Sequence, residues 1–267
     1  HMLMGNVHST AIVDESATLG ADVTIGPFCV VTGDVTLGDG VVLESHVVVT
    51  GNTRIGDETH IYPFASIGHV PQDLKFGNED VSLEIGARNR IREHVTMNPG
   101  TEGGGAITKV GNDGLFMMGA HVAHDCIVGD NVILANNATL GGHVTVGDFA
   151  ILGGLVGVHQ FCRIGAHAFI GAGSLVVEDV IPFGAATGNR AVLSGLNLVG
   201  LKRRDFDRAE INALRALHKS LFVESEGALM SRLAKAAKEY GDSQCVQQVV
   251  EFMRVEHNRG YCTPRNK

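Results

Sequence analysis

Residues 121–160 read HVAHDCIVGDNVILANNATLGGHVTVGDFAILGGLVGVHQ, and this stretch decides the fold. Every sixth residue in it is aliphatic: Val122, Val128, Leu134, Leu140, Val146, Leu152 and Val158. Amphipathic helices repeat every 3.6 residues and single strands every two, so neither produces a strict period of six. A period of six predicts a short strand and a turn, repeated, with one aliphatic side chain per repeat facing a common core.

The same period extends in both directions from this stretch. Towards the N-terminus it holds at Val7, Val13, Leu19, Ile25, Val31, Leu37, Leu43, Val49, Ile55, Ile61 and Ile67, and after two interruptions it continues to Val176. This pattern is typical of the hexapeptide form of the parallel β-helix, in which each coil buries its aliphatic residues only against neighbouring coils. We therefore predict a mainly β domain over residues 1–195.

The interruptions predict two loops that leave the coil, at residues 69–84 and 98–109. The first contains Asp73 and Lys75, and the second reads NPGTEGGGAITK. The glycines and the proline of the second loop favour a flexible excursion over a packed element. Long loops on a rigid scaffold are common binding elements, so both loops are candidates for the functional site.

The C-terminal part has a helical pattern, and residues 196–267 are predicted to form a small helical domain. Asp207 followed by Glu210 predicts a capping box at the start of a helix. Asp242 or Ser243 is expected to cap the last helix.

The composition narrows the functional class of the protein. The chain has 267 residues and a formal net charge of −8, which argues against general affinity for nucleic acid or anionic lipid. Its five cysteines form no CxxC pair, so we expect a reducing, cytoplasmic location. The sequence has no apolar run long enough to span a membrane and no signal peptide pattern.

Four histidines fall within the central stretch: His121, His124, His143 and His159. The gaps between the last three are close to three hexads, so their imidazoles are predicted to stack on one edge of the coil. A near-neutral pKa suits imidazole to general base catalysis, and the adjacent Asp125 could fix its tautomer. Neighbouring residues on a strand face opposite ways, so this pair requires a bend in the chain.

Other interpretations of these residues stay open at the level of sequence. Three imidazoles from neighbouring coils or subunits could instead hold a zinc ion. Gly142 could place an unpaired N–H beside an oxyanion, or it could be an ordinary turn glycine. The run Lys202-Arg203-Arg204 could clamp a diphosphate, or it could be a solvated turn before a helix.

The segments HVAHDC, ILANNATLGGHV, VHQFCRIGAH and NLVGLKRR, in this order, resemble the bacterial UDP-N-acetylglucosamine O-acyltransferase family. The resemblance begins at the IGPFCVV segment at Ile25 and covers almost the whole chain. It implies a left-handed β-helix, an exception to the usual right-handed crossover, and a homotrimer with active sites between subunits. The reaction it implies moves an (R)-3-hydroxyacyl chain from acyl carrier protein to the 3-hydroxyl of UDP-N-acetylglucosamine, the first step of lipid A synthesis, without a cofactor or metal.

The resemblance also assigns roles to individual residues. His124 is the expected general base, Asp125 orients it, and the backbone N–H of Gly142 faces the thioester carbonyl. Ala172 is expected to set the acyl-chain length. The positions expected to line the substrate cleft are Asp73, Lys75, His121, His143, His159, Gln160, Asn197, Arg203 and Arg204.

The acidic carrier protein requires a basic docking surface, and Arg88, Arg90, Arg92, Arg163 and the run 202–204 are candidates for it. Two departures from the family pattern are Asn98-Pro99, where a His-Arg pair is expected, and Val199, where many members have an acid. We expect these two departures to change the selectivity for the substrate and to leave the catalytic residues unaffected.

Three other functions compete with this interpretation. The first is the N-acyltransferase that acts later in the same pathway, which normally carries an extra N-terminal domain, whereas the hexads here start at Val7. The second is a zinc-dependent hydratase on the same scaffold. The third is a scaffold without catalytic activity, which would leave the histidines and both loops without a role.

Overall fold

Short strands separated by turns form most of the chain, as the six-residue period predicts. The computed structural model describes residues 7–224 and 226–265. The strands assemble into three sheets that wrap into a left-handed parallel β-helix. Corresponding residues of neighbouring coils pair in register, as Ile12 pairs with Val30 and Val13 with Val31.

The first sheet contains the strands Ile12–Val13, Val30–Val31, Val48–Val49, Ser66–Ile67, Thr96–Met97, His121–Val122, Thr139–Leu140, Gly157–Val158 and Leu175–Val176. The second sheet contains Thr18–Leu19, Asp34–Leu37, Asn52–Ile55, Ser82–Ile85, Ile107–Val110, Ile127–Val128, Thr145–Val146 and Arg163–Ile164. The third sheet contains Thr24–Ile25, Val42–Leu43, His60–Ile61, Arg90–Ile91, Leu115–Phe116, Ile133–Leu134, Ile151–Leu152, Phe169–Ile170, Gly184–Thr187 and Val192–Leu196. Among the strands that the structure describes, only the last two of the third sheet pair antiparallel to each other.

The core is the column of aliphatic side chains predicted from the period. From Ile25 onwards the predicted positions are buried, and Ile25, Val31 and Leu37 are fully inaccessible. Val7 and Leu19 in the first coil are 40% and 36% exposed. A coil buries its aliphatic residues against the coils on either side, and the first described coil has a described neighbour on one side only.

The helical part begins directly after the last strand. Helix α1 spans Leu198–Arg203, α2 spans Arg208–His218, α3 spans Leu229–Glu239 and α4 spans Gln244–Arg254. A π-helical segment, Lys219–Val223, extends α2. A 3-10 turn, Glu102–Gly104, lies in the second loop. No helix in the described part of the chain is long and apolar enough to cross a membrane.

The predicted capping box at Asp207 is wrong. The Asp207 side chain makes no capping hydrogen bond to α2. The Glu210 carboxylate instead accepts hydrogen bonds from the hydroxyl of Ser243 and from the backbone N–H groups of Gln244 and Cys245, both at 3.2 Å. Glu210 therefore caps the N-terminus of α4, where a carboxylate also meets the positive end of the helix dipole. Ser243 is the N-cap of α4, one of the two expected residues.

Candidate active site

The His124–Asp125 pair lies at the corner between the first and second sheets. Asp125 has a φ of 62°, in the left-handed region, so the chain bends there. The bend brings Nδ1 of His124 to 2.8 Å from Oδ2 of Asp125. The sequence indicated only that such a bend was required, and the structure shows that it occurs at Asp125. With Nδ1 bound to the carboxylate, Nε2 is the ring nitrogen left to exchange a proton.

The carboxylate of Asp125 is completely shielded and fully hydrogen-bonded. Its side chain has no exposed surface. Thr101 donates its backbone N–H to Oδ1 at 2.7 Å and its hydroxyl to Oδ2 at 2.6 Å. The backbone N–H of Asp125 donates to the hydroxyl of Thr108 at 2.8 Å. Sequence reasoning missed Thr101 and Thr108, because nothing local to the loop sequence indicates a partner in a later coil.

Both ends of the second loop are therefore packed against the coil, contrary to the prediction of an unpacked excursion, whereas Glu102, Gly103 and Gly105 in its middle are exposed. Asn98, Thr101 and Thr108 are buried. The side-chain amide of Asn98 donates to the backbone carbonyl of His69 at 3.2 Å, which ties the two loops together. The departure at Asn98-Pro99 thus lies at the junction of the loops.

In the next two coils, the positions that correspond to Asp125 form a column of side chains along this corner. His143 and Phe161 occupy the same corner, also with positive φ, and their rings stack at 4.4 Å between centroids. The His143 ring lies edge-on to that of His124 at 5.0 Å, and its Nε2 is 3.7 Å from Oδ2 of Asp125. Burial lowers the pKa of His143, so at neutral pH a neutral imidazole lines the site.

Gly142 lies directly beneath the His124 imidazole. A Cβ at position 142 would fall 2.4 Å from Cε1 and 2.6 Å from Nε2 of His124, so any larger residue would displace the ring. The backbone N–H of Gly142 donates to no acceptor among residues 7–224 and 226–265. The absence of a side chain at this position therefore lets the imidazole lie against the backbone of Gly142.

The first loop reaches the same corner. Together with the second loop and the His143 column it encloses a cavity of about 260 Å³. The lining residues are Asp73, Lys75, Phe76, Glu79, Thr101, Gly103, His143 and Phe161. Five of the expected site residues, Asp73, Lys75, His124, Asp125 and His143, thus come together within one chain.

His121, His159 and Gln160 lie around the same corner but outside this cavity. His121 pairs with Thr96 through Nδ1 and the hydroxyl, at 2.6 Å, and burial lowers its pKa. His159 and Gln160 are exposed, and they line a mainly apolar groove of about 520 Å³ that starts at Gly142. Of the three imidazoles predicted to stack along this corner, those of His124 and His143 are in contact, and they meet edge-on.

Asn197, Arg203 and Arg204 lie on a different face, over the third sheet. They line a largely apolar cavity of about 580 Å³ together with Phe169, Leu196 and the exposed Val199. Asn197 accepts from the N–H of Gly200 and donates to the carbonyl of His167. Arg204 donates to Phe149 O at 3.1 Å, and its Nη1 lies 3.1 Å from His167 Nδ1.

Ala172 lies at the exposed corner between the third and first sheets. Among the described residues, neither the cavity around His143, the groove at Gly142 nor the cavity around Arg204 includes it. A single chain thus distributes the expected site residues over separate faces of the β-helix.

Arg163 does not belong to a basic docking surface. It donates to Oδ2 of the buried Asp179 at 2.8 Å and to the carbonyl of Phe252 at 2.9 Å, and its guanidinium lies 4.0 Å from the Phe252 ring centroid. It therefore joins the β-helix to α4. Arg88 and Arg92 are paired with Asp113 and Glu93 at the surface.

Comparisons with known proteins identify the family. A family model described as Udp N-acetylglucosamine O-acyltransferase, domain 2, matches residues 179–262, and a bacterial transferase hexapeptide model matches residues 16–51 and 107–142. The chain is 55% identical over 204 residues to the acyl-[acyl-carrier-protein]–UDP-N-acetylglucosamine O-acyltransferase of Paracoccus denitrificans, covering 76% of this chain and 77% of the relative. It is 49% identical over 262 residues to that of Rickettsia canadensis, covering 98% of each. The chain belongs to this family.

The solved structure of the family member UDP-N-acetylglucosamine O-acyltransferase from Moraxella catarrhalis superimposes with a TM-score of 0.92. The two chains are 41% identical, and the match covers 96% of this chain and 99% of the other. The family expectation drawn from the HDC, VHQF and LKRR segments is thereby confirmed, and the fold of the family is the one described above.

The alternative of a metal site rests on His124, Asp125 and His143, whose ligand atoms all lie within 4.8 Å of one another. Both oxygens of Asp125 already accept hydrogen bonds, from Thr101 and from the His124 ring. Oδ2 accepts two hydrogen bonds, from the Thr101 hydroxyl and the His124 ring, so a metal at this oxygen would have to displace one of them. The arrangement therefore suits proton transfer by His124 better than metal coordination.

Proposed function

We propose that this chain transfers an (R)-3-hydroxyacyl group from acyl carrier protein to the 3-hydroxyl of UDP-N-acetylglucosamine. The observation that carries the proposal is the hydrogen-bonded His124–Asp125 pair in contact with Gly142, whose backbone N–H has no acceptor among the described residues. The names of the relatives support the donor and the acceptor. The same pair and the two loops argue against a scaffold without catalytic activity.

The reaction uses the site residues as follows. Nε2 of His124 removes the proton of the 3-hydroxyl as that oxygen attacks the thioester carbonyl. The carbonyl oxygen becomes an oxyanion that accepts a hydrogen bond from the Gly142 N–H. The C–S bond then breaks, and the carrier thiolate takes the proton from the His124 imidazolium. Asp125 stabilises the imidazolium in between. A thioester is already activated, so no cofactor or metal enters these steps.

The groove that starts at Gly142 is the proposed site of the acyl chain. Its lining includes Val158, Leu175 and Val176, which suit a hydrocarbon chain. Ala172 lies in the coil that ends the groove, and in this proposal its size limits the chain length. His159 and Gln160 flank the sugar end of the same groove.

The nucleotide is proposed to bind the cavity over the third sheet, with Arg203 and Arg204 facing its diphosphate. Val199 lies exposed in this cavity, where many family members have an acid, so the nucleotide contact there differs. Arg90, Lys202 and Arg203 are exposed and remain candidates for docking the acidic carrier protein.

We further propose that the protein is a homotrimer. The base lies at the corner between the first and second sheets, and the arginine cavity lies over the third sheet of the same chain. A neighbouring copy related by a threefold axis would bring its third sheet to this corner, so each complete site would contain residues of two subunits. All five cysteines are free and buried, which supports the proposed cytoplasmic location.

The proposed reaction is tested by acyl transfer from a panel of 3-hydroxyacyl carrier proteins to two acceptors, UDP-N-acetylglucosamine and UDP-3-O-acylglucosamine. We expect transfer to the first acceptor, loss of nearly all turnover in His124→Ala, and no stoichiometric metal in the purified protein. Transfer only to the second acceptor would instead support the N-acyltransferase. Bound zinc without any acyl transfer would support the hydratase.

The trimer is tested by mixing subunits. At a sugar nucleotide concentration far below KM, this proposal makes His124→Ala chains inactive and Arg204→Ala chains strongly impaired. Random mixed trimers recover about a quarter of the sites with full activity if each site uses the two residues from different chains. Mixtures of wild type with the chain carrying both substitutions give the matched control. Absence of recovery in confirmed mixed trimers would contradict a shared site.

A further inference from the structure

The second loop covers Asp125, the one residue in the described part of the chain that is hydrogen-bonded to the His124 ring. Thr101 contacts both oxygens of Asp125, through its backbone N–H at 2.7 Å and its hydroxyl at 2.6 Å. The hydroxyl donates to Oδ2, the same oxygen that accepts from Nδ1 of His124 at 2.8 Å. Thr101 is itself buried, with 7% of its surface exposed. One residue thus fixes both the rotation of the carboxylate and the oxygen that faces the imidazole.

The turn that follows Thr101 covers the carboxylate from the other side. A Cβ at Gly104 would lie 2.1 Å from Cγ of Asp125, so the backbone of this turn rests directly on the carboxylate. The N–H of Gly104 donates to Thr101 O at 3.0 Å, and the N–H of Ala106 donates to the same oxygen at 2.8 Å. The turn therefore covers the carboxylate of Asp125, whose side chain has no exposed surface.

These contacts have a direct consequence for the base. A carboxylate orients an imidazole only if its accepting oxygen stays in the plane and at the distance that the N–H requires. Hydrogen bonds to an ionised acceptor are short and strong, so two of them from one residue hold that geometry well. Without the hydroxyl, Oδ2 would keep only the His124 ring as a partner, and Thr101 would hold the carboxylate only through its N–H at Oδ1, so the orientation of the carboxylate would be less well fixed.

We propose that Thr101 is a positioning residue for the His124–Asp125 pair. It acts through Asp125 and does not contact the ring of His124. The inference rests on the proposed function, because it assigns Thr101 a role in the proton transfer by His124. It also explains why this end of the second loop is packed, since its anchoring residue belongs to the catalytic machinery.

The test compares Thr101→Val with Thr101→Ser in the acyl transfer assay. Valine keeps the shape and the backbone N–H but removes the hydroxyl, and serine keeps the hydroxyl. We expect kcat to fall by about 10–100-fold in the valine variant with KM for the sugar nucleotide unchanged, because a small misplacement of the base slows the chemical step. Serine should restore most of the rate. If valine does not yield folded protein, Thr101→Ala supplies the same comparison.

A double-mutant cycle separates positioning from a general structural role. Asp125→Ala removes both acceptor oxygens through which Thr101 acts, so adding Thr101→Val to it should lower kcat no further. A full additional loss in the double variant, or wild-type kcat in Thr101→Val, would overturn the inference. If the wild-type protein transfers the acyl chain and His124→Ala does not, the proposed function stands even when the inference about Thr101 fails. The failure of the inference can therefore be distinguished from the failure of the proposed function.

Discussion

The imidazole of His124 lies against the backbone of Gly142, close enough that a Cβ at Gly142 would be 2.4 Å from its Cε1 atom. The two residues are in successive coils, and the coil spacing alone brings them into contact. The ring that is proposed to take the proton and the N–H that is proposed to bind the oxyanion therefore have a fixed separation. Neither a loop movement nor a change of rotamer is needed to assemble them.

The first prediction follows from this contact. Gly142→Ala should lower kcat/KM by roughly 10²-fold or more, because the new methyl group displaces the base from its position. The matched control is Gly154→Ala, since a Cβ there meets only Asn136 O, at an ordinary 3.5 Å. Steady-state kinetics and melting curves of both variants check it. Equal activity of the two variants would contradict the proposed arrangement.

A second prediction concerns the arginine that joins the β-helix to α4. Arg163→Met leaves the buried Asp179 without its charged partner, and breaking such a pair costs about 3–5 kcal/mol. We expect a matching fall in the free energy of unfolding, measured by denaturant titration at fixed protein concentration. The exposed Arg90→Met serves as the control. The Kd for carrier protein should not change in Arg163→Met, and a large increase would restore Arg163 to the docking surface.

The two arginines of the proposed nucleotide site should behave differently. Arg203 is exposed, whereas Arg204 is half-buried and bonded to Phe149 O and His167. Each alanine variant should raise KM for the sugar nucleotide by about 10–100-fold, the value expected for a lost hydrogen bond to a charged group. Only Arg204→Ala should also lower Tm. Equal melting temperatures for the two variants would show that the internal contacts of Arg204 contribute nothing to stability.

The stability of the protein should fall in mild acid. Burial and the neighbouring Arg204 lower the pKa of His167 to about 4, and burial also lowers the pKa of His121, His143 and His218. The unfolded chain regains the ordinary value of about 6.5, so between these values it binds more protons than the folded chain. The histidine contribution to stability is therefore complete above about pH 6.5 and is lost progressively as the pH falls towards 4.

His167→Gln isolates one part of this effect. Glutamine stays uncharged, so the loss of Tm between pH 7 and pH 5 should be smaller in the variant than in the wild type, even if its Tm at pH 7 is lower. Melting curves over this range measure the difference. An unchanged slope would mean that His167 does not contribute to the acid sensitivity.

The aliphatic period alone determined the β-helix. From Ile25 to Val176 each predicted core position is buried wherever the frame runs unbroken, because every coil presents the same residue to the same column. The family followed from short segments around His124, His143 and Arg204. These features are local or strictly periodic, so they can be read directly from the residues.

Only the tertiary structure decided how the site is supported. Thr101 meets Asp125 across 24 positions of sequence, and Glu210 caps α4 at Ser243 across 33 positions. Arg163, a surface cation by its sequence, is half-buried and packs against Asp179 and Phe252. Such contacts depend on how the coils stack and on where each loop rejoins the β-helix. The six-residue period carries no information about them, because it is the same for any partner of a loop residue. The sequence therefore specified the scaffold and the reactive residues, whereas the packing of the loops and helices specified what holds them in place.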